Sequence, residues 1–274
     1  PTGLTFSTFG QGVLLLLIQM GGLGTMTAAL TTFTLVGRRL SLRDKLRLSE
    51  SINEESVANT TMQMAKKVLI ITFVIEALGA LFLMLWMVPR FGGQGIWYSI
   101  FLSISAFCNS GMDIFMHGDS LVPYNGQPFL MIVLGILIVL GGLGSFVISD
   151  VLGLRRSKER HRLTLHSKIV LISTGLLILL GTCLFFGFEA HNLETMGNMS
   201  MRDRWVNSLF QSVTPRTAGF ATLPQGQMTN ASFLLSIVLM FIGASPASTG
   251  GGIKTTTFVV LIMTLFAVLS GRKD

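Results

Sequence analysis

The chain has 274 residues, is half hydrophobic, is only 12% charged and carries a net charge of +7. Its mean hydropathy is +0.66. Soluble domains carry roughly a quarter charged residues, so an ordinary soluble enzyme or binding module is excluded and the class is an all-α polytopic membrane protein. Cys108 and Cys183 lie in apolar surroundings, and His117, His161, His166 and His191 are scattered. That pattern is neither a disulfide framework nor a metal or catalytic cluster.

The chain opens on "PTGLTF" with no initiating Met, no basic leader and no cleavage pattern, directly beside an apolar run; it reads as a fragment. A helix needs about 20 mostly apolar residues to cross a bilayer. Spans are expected at 10–36, 68–88, 128–153, 168–188 and 230–270. The last is too long for one simple crossing. Two amphipathic pieces, 96–108 and 204–214, are too short to cross and read as re-entrant or interfacial helices.

Basic residues fix the orientation. Arg38, Arg39, Arg43, Lys45, Arg47, Lys66 and Lys67 form one cluster. Arg155, Arg156, Lys158, Arg160, Arg162 and Lys168 form a second, and Arg272 and Lys273 a third. These hold 15 of the 20 basic residues, and the positive-inside rule places them in the cytoplasm. The net charge thus reports a lipid bilayer as partner and no nucleic acid.

An internal repeat runs through the chain. "WYSIFLSISAFCNSGMD" from Trp97 matches "WVNSLFQSVTPRTAGFA" from Trp205 at an offset of 108 residues. The same offset links Gly3, Gly111 and Gly219, and also Gly144 of "GGLGS" with Gly252 of "STGGG". Gly24 of "GGLGT" follows Gly3 by only 21 residues, so the first unit is shorter there. Each full unit reads as helix, short re-entrant helix, Gly-containing loop, helix. The expected division is 1–60 (end of a first pore unit with a cytoplasmic loop), 61–160 (second unit) and 161–274 (third unit).

Irregular backbone at membrane depth is tolerated only where it lines water or is buried in protein. Gly allows successive carbonyls to face one way, and a carbonyl ring can replace a cation's hydration shell. The filter residues expected from this are Thr2, Gly3, Asn109, Ser110, Gly111, Thr217, Ala218 and Gly219. The short helix before each loop would aim its partially negative C-terminal end at the axis, favouring cations. Asp113 would add negative potential at the mouth.

"FCNSGM", "PRTAGF" and "PTGL", the "GGLG" segments after them, the connector "RLTLHSKIVL" and "STGGGIKTTT" together resemble the Trk/Ktr/HKT superfamily of potassium transporters, in particular a KtrB-like pore-forming membrane subunit. The resemblance covers nearly the whole chain. It implies four pore repeats around a central axis, of which this chain would carry the end of the first, the second and the third. It implies passive potassium flow, K+ as the transported ion with no covalent cofactor, and a homodimer at the plasma membrane docked on a cytosolic nucleotide-binding regulatory subunit. A sodium-permeable or sodium-coupled transporter of the same build stays open, as does a non-conducting assembly subunit. Met112 stands where the family more often has Phe after the second filter glycine.

Within the last span, the intramembrane loop 244–253 is read as a gate, with Ser248, Thr249, Gly250, Gly251, Gly252 and Lys254 as its residues. Lys254 would face the water-filled cavity below the filter or, alternatively, pair with a helix terminus. Glu76 reads as a hydrogen-bonded brace rather than an ion ligand, and the "GGLG" glycines as close-packing points.

Overall fold

A computed structural model describes residues 2–39, 54–115, 118–156 and 163–270, with side chains for 2–28, 65–115, 118–153 and 163–270. The arginines and lysines at 38–47, 155–162 and 272–273, on which the orientation rests, lie outside the described side chains. Nine α-helices are described: α1 (Thr2–Thr5), α2 (Thr8–Arg39), α3 (Glu54–Phe91), α4 (Gln94–Phe107), α5 (Pro128–Arg156), α6 (Leu165–Glu189), α7 (Met201–Val213), α8 (Asn230–Phe241) and α9 (Thr255–Leu269).

Local chemistry sets the helix ends. Thr164, Ser200 and Thr229 cap α6, α7 and α8, each side chain accepting from the amide three residues on, which satisfies one orphan donor apiece. Proline opens α5, where its missing N–H costs nothing. Gly92, at φ 58°, follows the last residue of α3 and its amide closes on the Val88 carbonyl at 2.9 Å, the left-handed stop that glycine makes easily.

Four stretches are long and apolar enough to cross a membrane: Thr8–Ala28, Ala65–Phe91, Pro128–Gly153 and Leu165–Glu189. They match the first four expected spans. The fifth, 230–270, is not one helix. It divides into α8 of 12 residues and α9 of 15, joined by residues 242–254. Neither piece reaches the about 20 residues that a single crossing helix needs. The short helices at 96–108 and 204–214 are present as α4 and α7, of 14 and 13 residues.

The core is apolar, as in a soluble protein, but so is much of the outer surface. α4 packs along α3, and α7 along α6, in equivalent pairs. Phe101, Leu102 and Phe107 of α4, Leu83 and Met87 of α3, Leu130 and Leu134 of α5 and Phe210 of α7 are buried. Leu81 and Leu85 of α3, Ile172 and Leu179 of α6 and Leu261 and Phe266 of α9 are exposed. In water such a surface would aggregate; facing lipid tails it is in its own solvent. The fold is that of a polytopic all-α membrane protein.

Candidate ion pathway

α4 runs straight into the second loop. Its last carbonyls take the amides of the turn: Cys108 bonds to Ile104 at 2.8 Å, Asn109 to Ala106 at 3.2 Å and Ser110 to Ser105 at 2.9 Å. After α7, the amides of Ala218 and Gly219 both reach the Thr214 carbonyl, at 3.0 and 3.1 Å. Left-handed residues alternate with ordinary ones in both loops. Asn109 (φ 52°) and Gly111 (φ 66°) in one are matched by Thr217 (φ 78°) and Gly219 (φ 90°) in the other. A left-handed conformation costs a non-glycine residue roughly 1–2 kcal/mol, so Asn109 and Thr217 are held there by their surroundings. Such alternation turns neighbouring peptide groups toward one side.

The two loops meet. A Cβ on Gly111 would overlap the Ala218 carbonyl oxygen and lie 2.9 Å from the Gly219 Cα. Each loop is pinned at its far end by a hydroxyl of the preceding turn of chain. Ser105 donates to the Met112 carbonyl at 2.6 Å, and Thr214 donates to the Phe220 carbonyl at 2.6 Å. Met112 and Phe220 are repeat equivalents; Ser105 and Thr214 are not, being seven and six residues upstream. This clamp was not apparent in the sequence, because an offset search compares like positions and these hydroxyls occupy unlike ones.

Gly3 differs from expectation. It lies in the helical turn α1, buried, with no left-handed angle. Its requirement for glycine comes instead from close approach, since a Cβ there would press on the Ile114 carbonyl and come 2.6 Å from the Phe115 oxygen. Thr2 is in the same turn, its carbonyl accepting the Phe6 amide at 3.1 Å.

The segment 242–254 lies against the two loops. It folds back on itself: Gly243 donates to the Ile253 carbonyl at 2.9 Å, Ala244 to Gly251 at 3.2 Å and Ile253 to Phe241 at 3.2 Å. Gly250 touches two of the expected filter residues, for a Cβ on it would lie 2.5 Å from Thr217 Oγ1 and 3.7 Å from Asn109 Nδ2. Thr249 is the tie. Its hydroxyl donates to the Phe107 carbonyl at 2.9 Å and accepts from Asn109 Nδ2 at 2.8 Å. Asn109 Oδ1 and Thr217 Oγ1, at matching repeat positions, are buried with no protein partner among the described residues. Ser248 donates to the Ser245 carbonyl at 2.5 Å.

Lys254 is half-buried. Its ammonium donates to the Gly250 carbonyl at 2.6 Å, so its charge rests on the residue that abuts Thr217. A carbonyl one turn away meets one of the ammonium's three donors and lessens the cost of a charge at membrane depth. Gly251 and Gly252 complete the segment, Gly252 at φ 70°.

Behind the second loop, Glu76 of α3 is buried and links two neighbours. It accepts from Gln19 Nε2 of α2 at 3.0 Å and from Cys108 Sγ at 3.7 Å, and its own carbonyl takes the Ser103 hydroxyl at 2.7 Å. This is a brace between α2, α3 and the start of the loop. The "GGLG" glycines also serve packing: Gly22 leaves room for Cys108 Sγ, Gly141 for the Phe107 carbonyl and Gly144 for the Ala247 carbonyl, whereas nothing approaches Gly24. Asp113, beyond the second glycine, has its carboxyl pushed up by burial, partly offset by the Ser120 side chain and the Phe115 amide. No cluster of three or more metal-binding side chains occurs among the described residues.

The family model described as TrkH, cation transport protein, matches residues 2–274. The chain belongs to this family. Ktr system potassium uptake protein B of Vibrio alginolyticus is 41% identical over 99% of the chain and 59% of that protein. Its namesake in Bacillus subtilis is 37% identical over 100% and 60%. The potassium/sodium uptake protein NtpJ of Enterococcus hirae is 37% identical over 99% and 60%. The chain of this TrkH-family protein thus spans about 60% of the length of these curated relatives. Among solved structures, the potassium transporter TrkH of Vibrio parahaemolyticus matches with a TM-score of 0.69 and 19% identity, over 97% of this chain and 52% of that one; this shows a shared fold. The TrkH-family chain is a multi-pass protein of the plasma membrane.

Proposed function

We propose that the complete protein takes up potassium across the plasma membrane through a carbonyl filter, with the segment 242–254 as its gate. One observation carries the reading. Two loops 108 residues apart share left-handed turns at matching residues, abut each other at Gly111 and Ala218, and are both contacted by the segment of Gly250 and Thr249. The names of the relatives, potassium uptake proteins of the Ktr system, support the same direction.

In this reading a potassium ion sheds water against the carbonyls of Asn109, Ser110, Thr217 and Ala218, joined by those of Thr2 and Gly3 and by groups outside the chain. The C-terminal ends of α4 and α7 point their partial negative charge at the same place. The ion then meets the closed segment 248–252 with the Lys254 charge held on it. Flow is driven by the ion's gradient. By resemblance, control comes from a cytosolic nucleotide-binding subunit acting on a homodimer.

A second reading, sodium permeation, is favoured by the potassium/sodium uptake relative and by the flexible Met112, 40% exposed beside the second glycine. Flux of rubidium and sodium through the full-length protein in proteoliposomes separates the two. Rubidium well above sodium is expected, and equal rates would overturn the potassium assignment. Absence of any cation flux would favour a non-conducting assembly subunit. Lys254→Ala and a deletion within 248–252 are each expected to raise basal flux; if neither does, the segment is a packing kink and not a gate.

A further inference from the structure

The segment 242–254 is held from one side by three consecutive carbonyls of α5. The Ser245 amide donates to Gly142 at 3.0 Å, the Thr249 amide to Gly141 at 3.4 Å and the Ser245 hydroxyl to Leu143 at 2.5 Å. An unbroken helix would spend these carbonyls on the amides of Ser145, Phe146 and Val147. They are free to face the loop because Gly144, at φ 79° and ψ 156°, takes the chain off the helical path just after them. The Ser145 hydroxyl at this break is buried and has no partner among the described residues. In a straight helix its natural acceptor is the carbonyl four residues back, that of Gly141. The matching glycine of the next unit, Gly252, is also left-handed, at φ 70°.

We propose that the kink in α5 is the catch of the gate. Gly144 and Ser245 are positioning residues: they present the carbonyls of Gly141, Gly142 and Leu143 to the loop and hold it closed. Release of the loop is accompanied by straightening of α5, which returns the three carbonyls to the amides of their own helix and gives the Ser145 hydroxyl its acceptor. The α5 carbonyls exchange the loop donors for amides of their own helix, and the freed donors of Ser245 and Thr249 pass to the water of the opened path, so the held and released forms lie close enough in free energy to be switched. The proposal rests on the segment being a gate.

The test uses the full-length protein in proteoliposomes, read by rubidium flux and by the modification rate of a Ser248→Cys probe with a membrane-impermeant thiol reagent, in a Cys183→Ser background. Gly144→Ala makes the left-handed angle costly, and its Cβ would lie 2.7 Å from the Ala247 carbonyl, so α5 straightens. Basal flux and probe modification are each expected to rise by about fivefold or more, the equivalent of at least one lost hydrogen bond. Ser245→Ala, which leaves the α5 backbone alone, is expected to raise both by about two- to fivefold. The double variant is expected to exceed Gly144→Ala by less than about twofold, since both act on one contact. If the 248–252 deletion raises flux while Gly144→Ala and Ser245→Ala leave flux and probe reactivity unchanged, the catch is overturned and the gate stands. If the deletion also has no effect, gate and catch fall together. Should Gly144→Ala not assemble, Ser245→Ala alone decides, because it too must move both readouts.

Discussion

Gly111 and Gly219 occupy equivalent positions and share a left-handed backbone, yet their surroundings differ, and this makes them a controlled pair. An alanine at either position pays about 1–2 kcal/mol for the left-handed angle. At Gly219 the added methyl meets nothing closer than the Gly111 Cα at 3.6 Å, an ordinary contact. At Gly111 it overlaps the Ala218 carbonyl oxygen and lies 2.9 Å from the Gly219 Cα, so an overpacking cost of about 1–3 kcal/mol is added. The expected losses are therefore about 1–2 kcal/mol for Gly219→Ala and roughly 2–5 kcal/mol for Gly111→Ala. Relief at Gly111 requires moving the Ala218 carbonyl, itself a proposed ion ligand. Gly111→Ala is accordingly expected to cut the rubidium-to-sodium flux ratio by about tenfold or more, the equivalent of 1.4 kcal/mol, with a smaller change in Gly219→Ala. Thermal unfolding in detergent and paired flux measurements on the full-length protein check both numbers. If Gly219→Ala is as damaging as Gly111→Ala in both assays, close approach is not why glycine stands at 111.

Glu76→Ala strips Gln19 and Cys108 of a buried partner and is expected to cost about 1–3 kcal/mol in thermal unfolding, with Glu76→Gln recovering most of it because an amide oxygen still accepts from Gln19. Thr249→Val removes the bonds to Phe107 and Asn109 while keeping the side-chain volume; basal rubidium flux is expected to rise by about fivefold, from the loss of roughly 1 kcal/mol that holds the loop. Because burial raises the Asp113 pKa, its negative charge is lost at a higher pH than that of a free aspartate as the outer solution is acidified. Cation uptake is expected to fall over that range, and Asp113→Asn is expected to flatten the pH profile of flux at its low end.

The spans were legible because bilayer thickness imposes a length on apolar runs, and composition alone reports it. The loops were legible because Gly111 and Gly219 lie at one offset with Trp97 and Trp205. Gly3 shares that offset but not the geometry: it needs glycine for a close approach to Ile114 and Phe115, and periodicity cannot tell a close approach from a left-handed angle. The partner of Lys254, the Gly250 carbonyl, is a backbone group that no residue pattern announces. The kink at Gly144 was hidden for a related reason. The motif "GGLG" occurs in α2 and α5, and stays helical at Gly24 but breaks at Gly144, where Ser245 and Thr249 donate to the carbonyls that the break releases.

The two short helices differ in a way that bears on how the molecule is assembled. α7 buries Asn207, Ser208, Gln211 and Ser212, and their bonds run to other elements as well as its own: Asn207 to the Asn125 carbonyl, Gln211 to Gln225 and Ser212 to the Ile178 carbonyl of α6. Alone in lipid, Asn207, Gln211 and Ser212 would lose those outside partners, and an unmet polar group there costs several kcal/mol. At 13 residues α7 is also too short to cross by itself. Its place in the bilayer therefore depends on its neighbours, and the polar face that makes α7 a poor solo span is what ties it to α6 and to the chain at Asn125 and Gln225.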